Sequence, residues 1–189
     1  HSARIEVRGL DPARDYFYRF IAAGEASATG RTRTLPAPHR EPREFHLALA
    51  SCQHLEHGHW AALGHIARAA PDLLVHVGDY IYEGATTANR VRAHVGGNCT
   101  TLADYRRRYA QYRMDPALQA AHAASPWMTT WDDHEVANDY SGIHSGRAED
   151  PAAFLKRRAT AYQACFENLP LPPSAQPVNG EVALYTSRR

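Results

Sequence analysis

Three short blocks in this chain combine hard and soft metal ligands directly after apolar runs. They are Ser51-Cys52, Gly78-Asp79-Tyr80-Ile81-Tyr82 and Trp131-Asp132-Asp133-His134-Glu135. The apolar runs before them are strand-like, and loops that follow neighbouring strands converge on one rim of a sheet, since adjacent strands lie about 4.8 Å apart. That rim is where open α/β sheets bind their ligands. A carboxylate can bridge two cations with its two oxygens, and a pair of cations about 3.5–4 Å apart can clamp the attacking and leaving oxygens of an in-line phosphoryl displacement. Asp79 is the natural bridge.

Thiolate and phenolate are poor ligands for Mg²⁺ or Ca²⁺ but suit a ferric ion, whose charge stabilises both anions below their usual pKa values. Cys52 and Tyr82 therefore predict iron on one side of the centre. Asp133 and the side-chain amide of Asn138 are hard oxygen ligands that match Ca²⁺, Mn²⁺ or Mg²⁺ on the other. His134, beside Asp133, is placed to protonate a leaving oxygen or to stabilise charge on phosphorus. Asp132 is expected to orient a ligand by hydrogen bond.

The elements that must deliver these groups follow from periodicity and from stop signals. Residues 45–50 predict a buried strand ending at Ser51-Cys52, and residues 73–77 predict a second buried strand ending at Gly78-Asp79. Residues 127–131 predict a third, which delivers Asp132-Asp133-His134. Between them, helical spacing over 60–70 is stopped by Pro71, and an Arg- and Tyr-rich pattern predicts a helix over 102–112. Asp115-Pro116 and Asp150-Pro151 start helices running to about Ala124 and Asn168, because proline is favourable in a first helical turn. A polar insertion over 84–100 carries the flexible pair Gly96-Gly97, and residues 182–185 predict a last short strand. His54, His57 and His59 fit no zinc spacing and belong to a polar loop, His76 is expected to be a hydrogen-bonded core histidine, and Arg106, Arg107 and Arg108 to form a solvated or ion-paired helix face.

The start of the chain has a different period. Residues 4–8 and 16–21 alternate as strands around the turn Gly9-Leu10-Asp11-Pro12, and Tyr16 after that turn suggests the tyrosine corner of β-sandwich modules. Residues 1–36 are thus expected to be the end of a fibronectin type III-like β-sandwich, 37–44 a proline-rich linker, and 45–189 an α/β catalytic portion.

The order of blocks resembles the PhoD-like (alkaline phosphatase D) family. The resemblance rests on Ser51-Cys52-Gln53, Gly78-Asp79-Tyr80-Ile81-Tyr82-Glu83, Asp104-Tyr105-Arg106-x-Arg108-Tyr109, Asp115-Pro116-x-Leu118-Gln119-Ala120-Ala121-His122 and Trp131-Asp132-Asp133-His134-Glu135-Val136-x-Asn138-Asp139-Tyr140. The second and last blocks are also similar to those of purple acid and calcineurin-like metallophosphoesterases. The resemblance implies a secreted or periplasmic phosphomonoesterase or phosphodiesterase that attacks phosphorus with a metal-bound hydroxide. It implies Fe³⁺ and Ca²⁺, with Mn²⁺, Mg²⁺ or Zn²⁺ as alternatives. It carries Cys52, Asp79 and Tyr82 to the iron side, and Asp79 with Asn138 or Asp133 to the second cation. The implied fold is two sheets flanked by helices, of which about half would be contained here. The family's later His- and Asp-containing blocks have no counterpart before Arg189, so the expectation is a piece of a larger enzyme that turns over poorly alone and exposes apolar sheet surface.

Composition narrows the rivals. With 44% hydrophobic residues the chain can form an ordinary core, and 21 basic against 20 acidic residues leave a net charge of +1 with no basic tract, which argues against a dedicated nucleic-acid surface. No apolar stretch reaches the roughly 20 residues needed to span a bilayer. Cys52, Cys99 and Cys165 form no C-x-x-C pair, leaving a Cys99–Cys165 bridge open. A serine hydrolase is disfavoured because no G-x-S-x-G elbow exists. The rival of another class is a non-catalytic extracellular binding module built on a degenerate phosphatase-like domain.

Overall fold

A computed structural model describes residues 2–184. Three parallel strands, β5 (Leu47–Ala50), β6 (Leu73–His76) and β7 (Trp127–Thr129), form a sheet in the order β5-β6-β7, with Ala50 opposite His76 and His76 opposite Thr129. Ahead of them lie β1 (Asp15–Tyr18) paired antiparallel with β4 (Gly30–Arg33), and the two-residue strands β2 (Ile21–Ala22) and β3 (Glu25–Ala26) paired in a hairpin. The helices are α1 (Ala61–Ala69), α2 (Leu102–Arg113), α3 (Pro116–Ala124) and α4 (Pro151–Asn168). The whole is a mixed α/β arrangement.

Helices α2, α3 and α4 start where a side chain satisfies free N–H groups of the first turn, whereas α1 begins after Trp60 without a side-chain cap. Thr101 and Asp104 form a reciprocal capping box on α2. Asp115 accepts from Ala117 N and Leu118 N, and Asp150 from Ala153 N, each followed by proline at the first helical position. Helix α1 ends with Ala70 in the left-handed region, immediately before Pro71.

Because side chains alternate along a strand, the register sends Ala48, Ala50, Leu74, His76, Trp127 and Thr129 to one face, and Leu47, Leu49, Leu73, Val75, Val77 and Met128 to the other. The first face packs into the core with Leu63, Tyr80, Tyr105, Tyr109 and Leu118. The second is open, with Leu49 at 66% exposure. The expectation that residues 45–50 are buried is therefore corrected: β5 is an edge strand with one uncovered face, and an apolar run does not reveal whether a second layer covers it.

Further differences share a physical cause in long-range pairing. Residues 4–8 form no strand; instead the Arg4 guanidinium donates to the carbonyls of Leu169 and Leu171 and lies over the Phe166 ring. Strand β7 stops at Thr129, so Thr130 and Trp131 already belong to the loop. Residues 182–184 are not a strand, although Val178 and Glu181 make an isolated bridge; Tyr185 lies outside the described residues. Tyr16 Oη accepts from Asp11 N at 2.7 Å, closing the corner read from the sequence. Arg31 on β4 donates to the carbonyls of Ala70 and Ala124 at the C-terminal ends of α1 and α3, which joins the first strands to the rest.

Candidate metal centre

The tips of β5, β6 and β7 bend sharply into one another. Cys52 and Asp79 both have φ of 55°, the left-handed region that non-glycine residues avoid, and Gly78 between strand and ligand sits at 106°. Cys52 N donates to Gly78 O at 3.3 Å. Gly78 in turn presses on the next loop so closely that a Cβ there would stand 2.4 Å from Asp132 N. Such strain persists only where surroundings over-determine it, and it concentrates at functional sites.

The result is a convergence of Asp79, Asp133 and His134, each offering one ligand atom within 4.8 Å of the others. Asp79 is buried, and among the described residues its Oδ1 has no hydrogen-bond partner, while its Oδ2 accepts from Tyr82 Oη at 2.9 Å. A buried carboxylate oxygen without a partner is costly unless something positive meets it, so these residues fit a cation. Burial and the bond to Asp79 raise the Tyr82 phenol well above its ordinary pKa, so that its proton is held toward Asp79 Oδ2. Its ring lies 4.1 Å from that of His134 and 4.1 Å from that of His54.

Cys52 is exposed at the tip of β5 and is not among the side chains that converge within 4.8 Å. Asp133 Oδ2 accepts from Asp139 N at 2.5 Å. The Asn138 Nδ2 group donates to Asp139 Oδ2 at 2.6 Å, a bond that leaves its side-chain oxygen uncommitted.

Two carboxylates that the sequence reading left without a role organise the site. Glu83, buried, accepts from His134 Nδ1 at 2.8 Å and from Asn138 N at 2.9 Å, joining the loop after β6 to the loop after β7. With Nδ1–H given to Glu83, Nε2 of His134 makes no hydrogen bond among the described residues. Burial alone would lower the pKa of His134, but Glu83, Asp79 and Asp133 together raise it above its usual value; the same bonds hold Glu83 below the ordinary carboxylate range against burial. Glu135 accepts from Tyr80 N at 2.5 Å, Asp132 N at 2.8 Å and Asp79 N at 3.2 Å, and burial pushes it up to about 7 against those three bonds. Asp132, which the sequence put forward to orient a ligand, is exposed and raised in pKa by burial of its carboxyl and by the charges of Asp79 and Asp133. The signal for the two glutamates was their place one residue after a candidate site residue, Tyr82 or His134.

Arg108 corrects the reading of its run. Arg106 pairs with Glu167 and Arg107 with Asp104, but Arg108 is 1% exposed and donates to the carbonyls of Tyr82, Gly84 and Gly97, pinning the insertion at both ends. His76 is corrected too: it is fully buried, yet among the described residues neither ring nitrogen has a partner, and it stacks on Trp127. His54 caps the short 3₁₀ helix Leu55–His57 by accepting from Glu56 N, and its ring stacks on that of His57. Cys99 and Cys165 are buried free thiols, so the open bridge is not formed.

Residues 47–189 match the PhoD-like phosphatase family, and residues 1–36 match the PhoD-like phosphatase N-terminal domain. The chain belongs to the PhoD-like phosphatase family. Alkaline phosphatase D of Bacillus subtilis (strain 168) is 45% identical over 190 residues, covering 98% of this chain and 33% of that protein. A solved structure described as "Structure of PhoD" is 45% identical with a TM-score of 0.92, covering 96% of this chain and 36% of that one. The chain thus spans about a third of the length of the PhoD-like relatives it matches. Phosphatase chemistry is the property of this family, and among the described residues no helix is long and apolar enough to cross a membrane.

Proposed function

We propose that this chain supplies one side of a dinuclear metal centre that hydrolyses phosphoric mono- or diesters, in a protein exported to the periplasm or beyond the cell. The observation that carries this reading is the convergence of Asp79, Asp133 and His134 around a buried Asp79 oxygen without a partner, in a member of a phosphatase family. The residues proposed to hold Fe³⁺ are Cys52, Asp79 and Tyr82. Those proposed for Ca²⁺ are Asp79 with Asp133 or Asn138, and the convergence of Asp133 with Asp79 supports Asp133. Mn²⁺, Mg²⁺ or Zn²⁺ could replace either ion.

Cations in such a site supply an oxygen nucleophile at neutral pH and offset charge on the ester. The chain's own residues do the rest. Asp79 and Asp133 fix the positions of positive charge, and the Tyr82 ring forms a wall beside His134. Glu83 holds the His134 Nδ1 proton, so that a protonated Nε2 faces the ester and can pass its proton to the departing oxygen. The three-stranded sheet with its open apolar face is proposed as part of a larger helix-flanked metallophosphoesterase sandwich, in line with the share of its relatives that the chain spans. Residues 1–36 are proposed as the end of the β-sandwich unit that precedes it, with 37–44 as linker.

The test is metal analysis with hydrolysis of p-nitrophenyl phosphate and bis(p-nitrophenyl) phosphate by the protein in its natural full length. Asp79→Asn should remove both metal and turnover, His134→Gln turnover with metal retained, and Tyr82→Phe the visible phenolate-to-iron band. An Asp79→Asn variant with undiminished metal content and rate would overturn the proposal.

A further inference from the structure

The loop after β6 and the loop after β7 carry the converging ligands on separate stretches of chain, with 54 residues between Asp79 and His134, and something must hold them at one spacing. Parallel pairing of β6 and β7 ends at His76 opposite Thr129, so the sheet ladder itself stops short of both ligand positions. We propose that Glu135 is the positioning residue that sets the spacing between Asp79 and the Asp133–His134 pair. This rests on the reading of the cluster as a metal centre.

The side chain is 1% exposed and spans the junction. Its Oε2 accepts from Asp79 N and from Asp132 N, and its Oε1 from Tyr80 N. One donor belongs to the ligand Asp79 itself, one to the residue after it, and one to the residue before Asp133. A carboxylate offers about four acceptor sites and no donor when ionised, so it can receive all three N–H groups at once, which an amide or hydroxyl side chain cannot do. The same bonds hold Asp79 in its left-handed backbone state, at φ 55°, which no glycine relieves.

An ordinary structural carboxylate in a core has a cationic partner. Among the described residues Glu135 has no salt bridge, and the nearby charges that bear on it include Asp79. Asp79, Asp132 and Asp133 sit beside it in sequence or in space, so the anion is held by backbone N–H groups alone within a carboxylate-rich junction. That arrangement is unfavourable in isolation and becomes favourable once positive charge is shared between the two loops, which explains a carboxylate at this position where an apolar side chain would pack at less cost.

The closing experiment uses the protein in its natural full length, wild type and Glu135→Gln, with Mn²⁺ alone as the probe, read by electron paramagnetic resonance, and with amide hydrogen exchange of the metal-free protein resolved to single residues by mass spectrometry. In the wild type the amides of Asp79, Tyr80 and Asp132 should exchange slowly and as a group, and Mn²⁺ should give the signature of a spin-coupled pair. In Glu135→Gln the three amides should lose protection together, the coupled signature should vanish in favour of single-ion spectra, and Mn²⁺ affinity should drop about 10- to 100-fold. A merely structural role would leave any bound pair coupled. Glu135→Asp, which keeps both acceptor oxygens one methylene short, should restore part of the protection and guards against a Gln variant that does not fold. Retained protection of the three amides in a folded Glu135→Gln overturns the assignment to Glu135. Loss of protection in the variant, with no Mn²⁺ pair in the wild type, upholds the clamp while the metal-centre reading itself fails.

Discussion

Substituting Gly78 by alanine is the sharpest perturbation of the ligand rim. An alanine Cβ would lie 2.4 Å from Asp132 N, 2.5 Å from Asp132 Cβ and 2.9 Å from Trp131 C, where ordinary contact begins near 3.4 Å. The obstacle includes backbone on the facing loop, so no side-chain rotation relieves it, and the two loops must separate by about 1 Å. Gly78 also sits at φ 106°, where a Cβ costs roughly 1–2 kcal/mol, and forced overpacking adds about 1–3 kcal/mol. The expected loss is about 2–5 kcal/mol, measured by urea denaturation followed by circular dichroism. Gly84, which has open space where its Cβ would be, is the control, and Gly84→Ala should change stability by no more than about 0.5 kcal/mol. Gly78→Ala indistinguishable from Gly84→Ala would refute the claim that the loops meet at this glycine.

Burial pushes His76 down to about 4, and burial with the Arg113 charge pushes His122 down to about 3. The unfolded chain takes up these protons from about pH 6.5, so their contribution to stability is full above 6.5 and is lost as pH falls toward 4 and then 3, about 3 kcal/mol for His76. His76→Phe, which keeps the stack on Trp127 and removes two unpartnered nitrogens, should leave stability at pH 7 equal or higher and flatten its decline between pH 6.5 and 4 in denaturation series. Arg108→Met orphans the carbonyls of Tyr82, Gly84 and Gly97 and should cost about 3 kcal/mol, with limited proteolysis newly cutting within residues 84–100. Thiol titration should find Cys52 reactive in the folded chain, and Cys99 and Cys165, buried and raised in pKa by that burial, reactive only after denaturation.

What could be read from the sequence was what is encoded over a few residues. Helices α1 and α2 were legible from their period, and α3 and α4 from Asp115-Pro116 and Asp150-Pro151 at their starts, because a cap or a proline acts on the turn it belongs to. The parallel strands were legible for the same reason, and with them the order in which Cys52, Asp79 and Asp133-His134 reach one rim.

Tertiary structure alone decided which groups answer one another across that rim. Glu83 and Glu135 look like any acid beside a motif until a loop some fifty residues distant supplies their donors. Arg108 is indistinguishable from Arg106 and Arg107 in sequence, yet it turns inward to three carbonyls. The open face of β5 and the unpaired stretch over 4–8 depend on whether another layer or strand lies alongside, a matter of distant chain and not of local period. Hydrogen-bond partners and burial are properties of pairs of segments, and a pattern within one segment carries no record of its mate.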